Sequence, residues 1–264
     1  MTEHKINSLE RFGFSFEIGG AHFARTMMLD EFSSLLDYVN DQTAERDVYR
    51  HAIDEENCLG KRSAQTRKLT RRHLTSLYAL DPSVILFKAL LYFWRRDQTG
   101  QPLLAFLCAF ARDAVLRMST PFILGLNEGA VISREDTENF FEETASDRFS
   151  KATLKSVAQN INGTWTRSGH LAGHVKKVRT RVKPTPGAVA YALLLGYLAG
   201  SRGKELFRTD YMKLLDCSVD RAIELAEDAS RRGWMVLKRV GDVIEVLFPN
   251  LLTAQEMEWI REQG

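Results

Sequence analysis

Apolar residues recur at helical spacing over much of this chain. Phe23, Met27, Met28, Phe32, Leu35 and Leu36 mark one face of a helix predicted from Ala21 to about Val39. Before it, Phe12-Gly13-Phe14-Ser15-Phe16 alternates large and small residues and meets Gly19-Gly20, the pattern of an extended arm or short edge strand. Asp41 or Thr43 can cap a second helix that runs to about Glu56, and Gly60 closes that unit. A third helix is predicted from about Ser63 to Tyr78. Three consecutive helices, the last of them basic, match a helix-turn-helix layout.

Asp81-Pro82 marks a boundary, after which Ser83–Arg96 and Pro102–Met118 read as strongly apolar helices joined by a polar turn around Asp97–Gly100. A bent segment from Ser119-Thr120-Pro121 reaches Leu126. Ser133, with Asp136 three residues on, opens another helix, and Ser150 caps the next, to about Ser168. The stretch from His174 to Pro184 then alternates valines with bases, as a strand or extended linker does. From Gly187 the order is more specific. Ala188–Leu198 is a very apolar helix, Thr209 caps a short one through Leu215, and Ser218 caps a third to about Arg232. Two β-rich runs, Trp234–Lys238 and Val243–Phe248, flank the turn Arg239–Asp242, and Thr253–Glu262 closes the pattern as a helix. The fold class is therefore mainly α. A helix-turn-helix-like unit with an extended arm is expected over 1–80, a central helical bundle over 81–172, and a winged-helix domain with a short β-hairpin over 173–264.

At 264 residues and 44% hydrophobic, the chain can bury a sizeable core. Its three cysteines, Cys58, Cys108 and Cys217, are far apart and odd in number, which suits a reducing cytoplasm better than a disulfide framework. Val84–Trp94 and Leu103–Ala111 fall well short of the ~20 apolar residues that span a bilayer, and Met1–Asn7 lacks a signal-peptide core. A cytoplasmic protein with no membrane partner is expected.

Charge is where the chain departs from the ordinary. The formal net charge is only +2, yet residues 61–73 hold six fixed positive charges in thirteen positions with no acid among them. On a helix, Arg67, Lys68, Arg71 and Arg72 fall on one side, Thr66, His73 and Leu77 lie opposite, and Leu69 and Leu74 take the flanks. A helix with a core edge and a wholly basic face suits docking on phosphates. Lys61, Arg62, Arg67, Lys68, Arg71 and Arg72 are the candidate backbone contacts, with Gln65 and Thr66 near the helix start as candidate base-edge contacts. Lys176, Lys177, Arg179, Arg181 and Lys183, with valines facing in and bases out, form a second candidate, unless they protect an exposed edge strand. Lys238 and Arg239 on the hairpin are a third. Two features oppose a polyanion: the run Glu135, Asp136, Glu138, Glu142, Glu143 and Asp147, and the Ser218 helix. In that helix Asp220, Glu224, Glu227 and Asp228 outnumber Arg221, Arg231 and Arg232, which favours contact with protein over base reading.

Catalytic patterns fail on inspection. Leu198–Lys204 resembles a phosphate loop, but its glycine spacing is wrong, Glu205 stands where Ser or Thr is needed, and it follows a helix. His170 and His174 have no nearby carboxylate or cysteine to complete a metal site. Asp242 and Glu245 lack the lysine that metal-dependent phosphodiester cleavage would require, and no Ser or Cys sits in a nucleophile elbow. A non-enzymatic protein without metal or cofactor is expected.

The Phe14-Ser15-Phe16 arm before Gly19-Gly20, and then Glu56-Asn57-Cys58-Leu59-Gly60-Lys61-Arg62 running into Ser/Thr residues and a basic helix, resemble the BrxA family of BREX phage-defence systems. The resemblance is clearest over about 12–80 and continues mainly as element order to about 250. It implies a helical accessory protein that binds double-stranded DNA and works beside other phage-defence proteins. It carries no catalytic residues over. Two alternatives stay open: an RNA-binding helical module of antitermination-factor type, against which the lack of an aromatic before Tyr78 counts, and a protein–protein adaptor within the defence complex.

Overall fold

A computed structural model describes residues 3–41, 43–145, 148–241 and 243–261. Met1, Thr2, Asp147, Asp242 and Glu262, used in the sequence reading, lie outside the described residues. The apolar periodicity becomes fourteen α-helices among the described residues: α1 (Glu3–Arg11), α2 (Leu29–Val39), α3 (Arg46–Asp54), α4 (Ala64–Tyr78), α5 (Ile85–Trp94), α6 (Gln101–Arg112), α7 (Ala114–Met118), α8 (Thr120–Gly125), α9 (Arg134–Thr144), α10 (Lys151–Arg167), α11 (Pro186–Leu198), α12 (Asp210–Lys213), α13 (Val219–Arg231) and α14 (Ala254–Arg261). Five short strands accompany them: β1 (Val131–Ile132), β2 (Leu171–Ala172), β3 (Lys177–Arg179), β4 (Val236–Val240) and β5 (Val243–Leu247). The protein is mainly helical, with little sheet.

Contacts group the chain into two compact units, one from residues up to 15, 84–111 and 182 onward, the other from 16–83 and 112–181. This grouping differs from three consecutive stretches at 1–80, 81–172 and 173–264, because the apolar α5 packs on the equally apolar α11, about a hundred positions later.

In the first unit, α11 is buried on all sides, with eleven of its thirteen residues shielded. A helix apolar all round belongs at the centre of a core, and α5, α12 and α13 pack against it. Its start is fixed by polar groups. Thr185 caps it, and the buried Asp97 accepts hydrogen bonds from Gly187 N (2.8 Å) and Gly100 N (3.1 Å). A Cβ on Gly187 would stand 2.5 Å from Asp97 Oδ2, so only glycine admits this approach. The segment expected as a free arm is instead packed. Phe12 and Phe14 are buried, Phe12 O accepts from Leu86 N at 3.2 Å, and Phe14 meets the Tyr211 ring. It has no strand pairing, and the unexpected α1 precedes it. β4 and β5 form the expected antiparallel hairpin, with Lys238 opposite Glu245.

In the second unit, α2, α3 and α4 pack consecutively, α9 lies along α10, and the strands make a sheet in the order β1-β3-β2. The helix expected from Ala21 to Val39 is broken. A 3₁₀ turn at Ala21–Phe23 is followed by an irregular stretch, and Met28 adopts a left-handed conformation (φ 51°) before α2 begins. The helix expected over Pro102–Met118 is broken too, at Asp113, which caps α7 by accepting from Leu116 N at 3.0 Å. One buried polar cluster explains both interruptions. His22 is fully buried, with Nδ1 2.8 Å from Asp113 Oδ2 and Nε2 2.9 Å from Thr164 Oγ1. The Thr164 hydroxyl also accepts from Met27 N (2.8 Å), and Asn160 Nδ2 donates to His22 O (3.1 Å). Gly20 is needed beside this cluster, since a Cβ there would meet Asp113 Oδ2 at 2.6 Å. Burial pushes the Asp113 carboxyl up. The facing imidazole and the hydrogen bonds to the carboxylate outweigh that and hold it below the usual carboxylate range.

Replacing Asp97 by Ala leaves the buried Gly187 N–H without its acceptor, while Gly100 N keeps the Asp97 carbonyl, and should cost about 1–3 kcal/mol by denaturant unfolding, with Asp97→Asn costing less. Asp113→Asn should destabilise the protein at neutral pH. Because the folded-state pKa of Asp113 is depressed, its contribution is complete above the ordinary carboxylate pKa of about 4. Unfolding curves of the parent and the variant should therefore converge as the pH falls below that value.

Candidate nucleic-acid interface

Local chemistry fixes both ends of α4. Asn57 (φ 54°) turns the chain out of α3, and its Oδ1 accepts from Lys61 N at 2.7 Å. Ser63 caps the helix by accepting from Thr66 N at 3.2 Å. At the other end Arg112 donates to the carbonyls of Ser76 (2.9 Å) and Thr75 (3.3 Å), which satisfies part of the last turn. The buried edge consists of Thr70, Leu74, Leu77 and Tyr78, and the Tyr78 ring stacks on Phe32 with centroids 3.9 Å apart. The edge is thus rotated from that expected, since Thr66 and His73 are only half-buried and Leu69 is exposed.

That rotation divides the basic residues. Arg71 turns back and donates to Asp54 at 2.7 Å, a carboxylate at the end of α3 that is itself only 8% exposed. Lys61 pairs with Glu31 at 3.2 Å. Arg67 is half-buried, and its Nε is shielded from solvent with no hydrogen-bond partner among the described residues. Arg62, Lys68 and Arg72 are exposed, with no ion-pair partner among the described residues. Lys68, Leu69, Arg71, Arg72 and Thr75 line a shallow depression on this outer face. Gln65 is exposed, whereas the Thr66 hydroxyl is engaged by Ser63 Oγ at 2.9 Å, so the expected pair of base-edge groups reduces to Gln65. Burial, then the charges of Arg25 and Arg72, lower the His73 pKa, so its ring adds no charge at neutral pH. The same effect brings Arg25 into the cationic neighbourhood, a residue that no sequence pattern singled out.

The second candidate group does not form the expected surface. β3 is the central strand of its sheet, so the edge-strand alternative fails as well. The inward residue is a base: Arg179 is buried and donates to the carbonyls of Ile123 (3.1 Å), His170 (3.3 Å) and Thr180. Val175, expected to face in, is 82% exposed. Lys177 donates to Gly173 O at 2.7 Å, and Arg181 pairs with Glu128 at 3.2 Å. Lys176 is exposed, as is Lys183, which belongs to the other unit. On the hairpin, Lys238 is taken up by Glu245 at 3.2 Å, while Arg239 stays exposed.

Two expected counterweights are also modified. In α9, Ser133 and Asp136 complete their capping box and Arg134 pairs with Glu138, which leaves Glu135, Glu142 and Glu143 as its exposed acids. In α13, Arg221 pairs with Glu224, while Arg231 and Arg232 both pair with Asp228. His170 is buried against Trp165 with Nδ1 2.8 Å from Ser168 Oγ, whereas His174 is exposed. Among the described residues no group of His, Cys, Asp and Glu is placed to hold a metal ion, and no helix is long and apolar enough to cross a membrane. Burial raises the Cys58 and Cys217 thiols above the ordinary value, which makes them poor nucleophiles.

Arg71→Ala should cost about 2 kcal/mol by chemical denaturation, because it strands the buried Asp54 carboxylate. Lys68→Ala and Arg72→Ala should each stay within about 0.5 kcal/mol of the parent protein.

No protein-family model matches this chain, and no curated protein or solved structure is detectably similar to it.

Proposed function

We propose that this is a non-enzymatic DNA-binding accessory protein of the BREX phage-defence type, which contacts duplex phosphates through α4. The observation that carries this reading is the pair Lys68 and Arg72, exposed on a capped helix whose opposite edge is locked in a core, with Arg62 exposed just before the cap. Held cations lose little freedom on meeting phosphates, and each contact releases counterions. In this reading α2–α4 act as a helix-turn-helix-like unit, with Gln65 as the polar group nearest the base edges. Arg67 and Arg25 add charge beside the main row.

The pairing of Lys61 and Arg71 lowers the count of phosphates engaged. With about four neutralised, affinity should fall roughly 10²-fold between about 50 and 200 mM salt. RNA recognition by stacking is less well supported, because Tyr78 is fully buried and offers no face to a base.

A second role rests on α13. Its arginines are paired within the helix, while Asp220 and Glu227 remain exposed without such partners. Within a winged-helix arrangement of α11–α13 and the β4–β5 hairpin, this acidic helix suits contact with another phage-defence protein better than contact with DNA.

The double variant Lys68→Glu/Arg72→Glu should abolish a duplex gel shift while leaving thermal unfolding unchanged. Retained binding at low salt would remove α4 from the account.

A further inference from the structure

Away from the face of α4 that carries Lys68 and Arg72, the second unit holds a polar pocket of about 570 Å³ walled by α9, α10 and the turn before β3. Its size falls within the usual small-ligand range of roughly 300–1,000 Å³. Its lining contains no acid, and its one aromatic ring is the exposed His174 imidazole. Arg134, Arg167 and Lys177 supply three cations. Arg134 is paired with Glu138 and Arg167 with Asp30, so one positive charge is in excess, and the Asp30 carboxylate is 70% exposed and easily given up.

An independent feature points the same way. Asn162, only 4% exposed, lines this pocket. Its Oδ1 accepts from Thr137 Oγ1 at 2.9 Å, and no described residue accepts from its amide nitrogen. That nitrogen is therefore free to donate to a molecule in the pocket. Lys177 is also held at a cost. Burial lowers its pKa, and its ammonium is turned onto the carbonyl of Gly173, a neutral partner.

We infer that this pocket binds a phosphate ester on a hydroxyl-rich, non-aromatic carrier, a sugar phosphate, with Arg134, Arg167 and Lys177 taking the phosphate and the Asn162 amide donating to it or to a hydroxyl. Two guanidinium forks and an ammonium match a tetrahedral dianion better than a lone carboxylate. The single ring, His174, is exposed, whereas Gln159, Asn160 and Thr166 bring amide and hydroxyl groups that suit the hydroxyls of a sugar, so the sugar phosphate is the part recognised. Such a group can arrive as a free metabolite or as the backbone of a nucleic-acid strand. A strand would have to cross a neighbouring depression, shared through Thr26 and Arg167, whose lining includes Asp30 and Glu31 as well as Arg25, so the free ester is the better-matched source.

Calorimetric titration of the full chain with ribose 5-phosphate, ribose and a short abasic oligodeoxynucleotide tests this. Ribose 5-phosphate should bind and ribose should not. Arg134→Gln/Lys177→Gln should weaken binding at least tenfold. Val175→Glu, an added negative charge at an exposed rim position, should do the same without touching the core. Lys68→Glu/Arg72→Glu should leave ribose 5-phosphate affinity intact, which separates this pocket from the α4 reading. Binding of the abasic strand alone, made in the Lys68→Glu/Arg72→Glu background and lost with the pocket substitutions, would support the pocket with the strand backbone as its source. No binding of either phosphate ester, or binding indifferent to both sets of pocket substitutions, would overturn the inference.

Discussion

A single histidine organises the second unit. His22 is fully enclosed, and its two ring nitrogens reach Asp113 and Thr164, residues 91 and 142 positions further along the chain. A polar ring inside a core is stable only when both nitrogens are matched, so the 3₁₀ turn, the start of α7 and the last turn of α10 must keep fixed positions. Thr164 extends the constraint by accepting from Met27 N, and Met27 O in turn receives the Tyr78 hydroxyl at the end of α4. The basic helix is therefore tied through a chain of hydrogen bonds to residues that contribute nothing to its own periodicity.

The interruptions of two predicted helices follow from the same constraint. Asp113 sits in an apolar run that would continue as helix on local preference, yet its carboxylate is worth more as a partner for His22 and a cap for Leu116. Local capping, by contrast, was legible at most helix starts, the exception being α3, which begins uncapped after Glu45 while the expected caps Asp41 and Thr43 bond to each other. Ser63, Ser133 with Asp136, Ser150, Thr209 and Ser218 all start helices where their sequence context predicts, because a cap needs only the next three residues. The hairpin was legible for the same reason. α1 was not, since its few apolar positions become meaningful only once Leu9 and Phe12 have a core to enter.

Charge was legible as a cluster and illegible as a surface. A helical projection places Arg71 beside Lys68 and Arg72, but only the end of α3 decides that Arg71 faces Asp54 while the other two face water. Arg179 shows the stronger form of the same effect. In a central strand the alternation of valine and base says nothing of which side is interior, and three carbonyls fit a guanidinium better than a valine. The polar pocket was out of reach altogether, since Arg134, Asn162 and Lys177 belong to three elements with no shared motif.

The interleaving of the two units bears on how the protein is made. Emerging from a ribosome, the first 83 residues contain α4 in full, but neither Asp113 nor Thr164 exists yet to receive His22. Closing loops of that length is entropically slow, and the matching of both His22 nitrogens must wait until α10 has been synthesised. Until then the basic helix is held only by partners within its own stretch, among them Asp54 for Arg71, Glu31 for Lys61 and Phe32 for Tyr78. Expressing residues 1–80 alone would reproduce that immature condition, not the binding surface of the finished molecule.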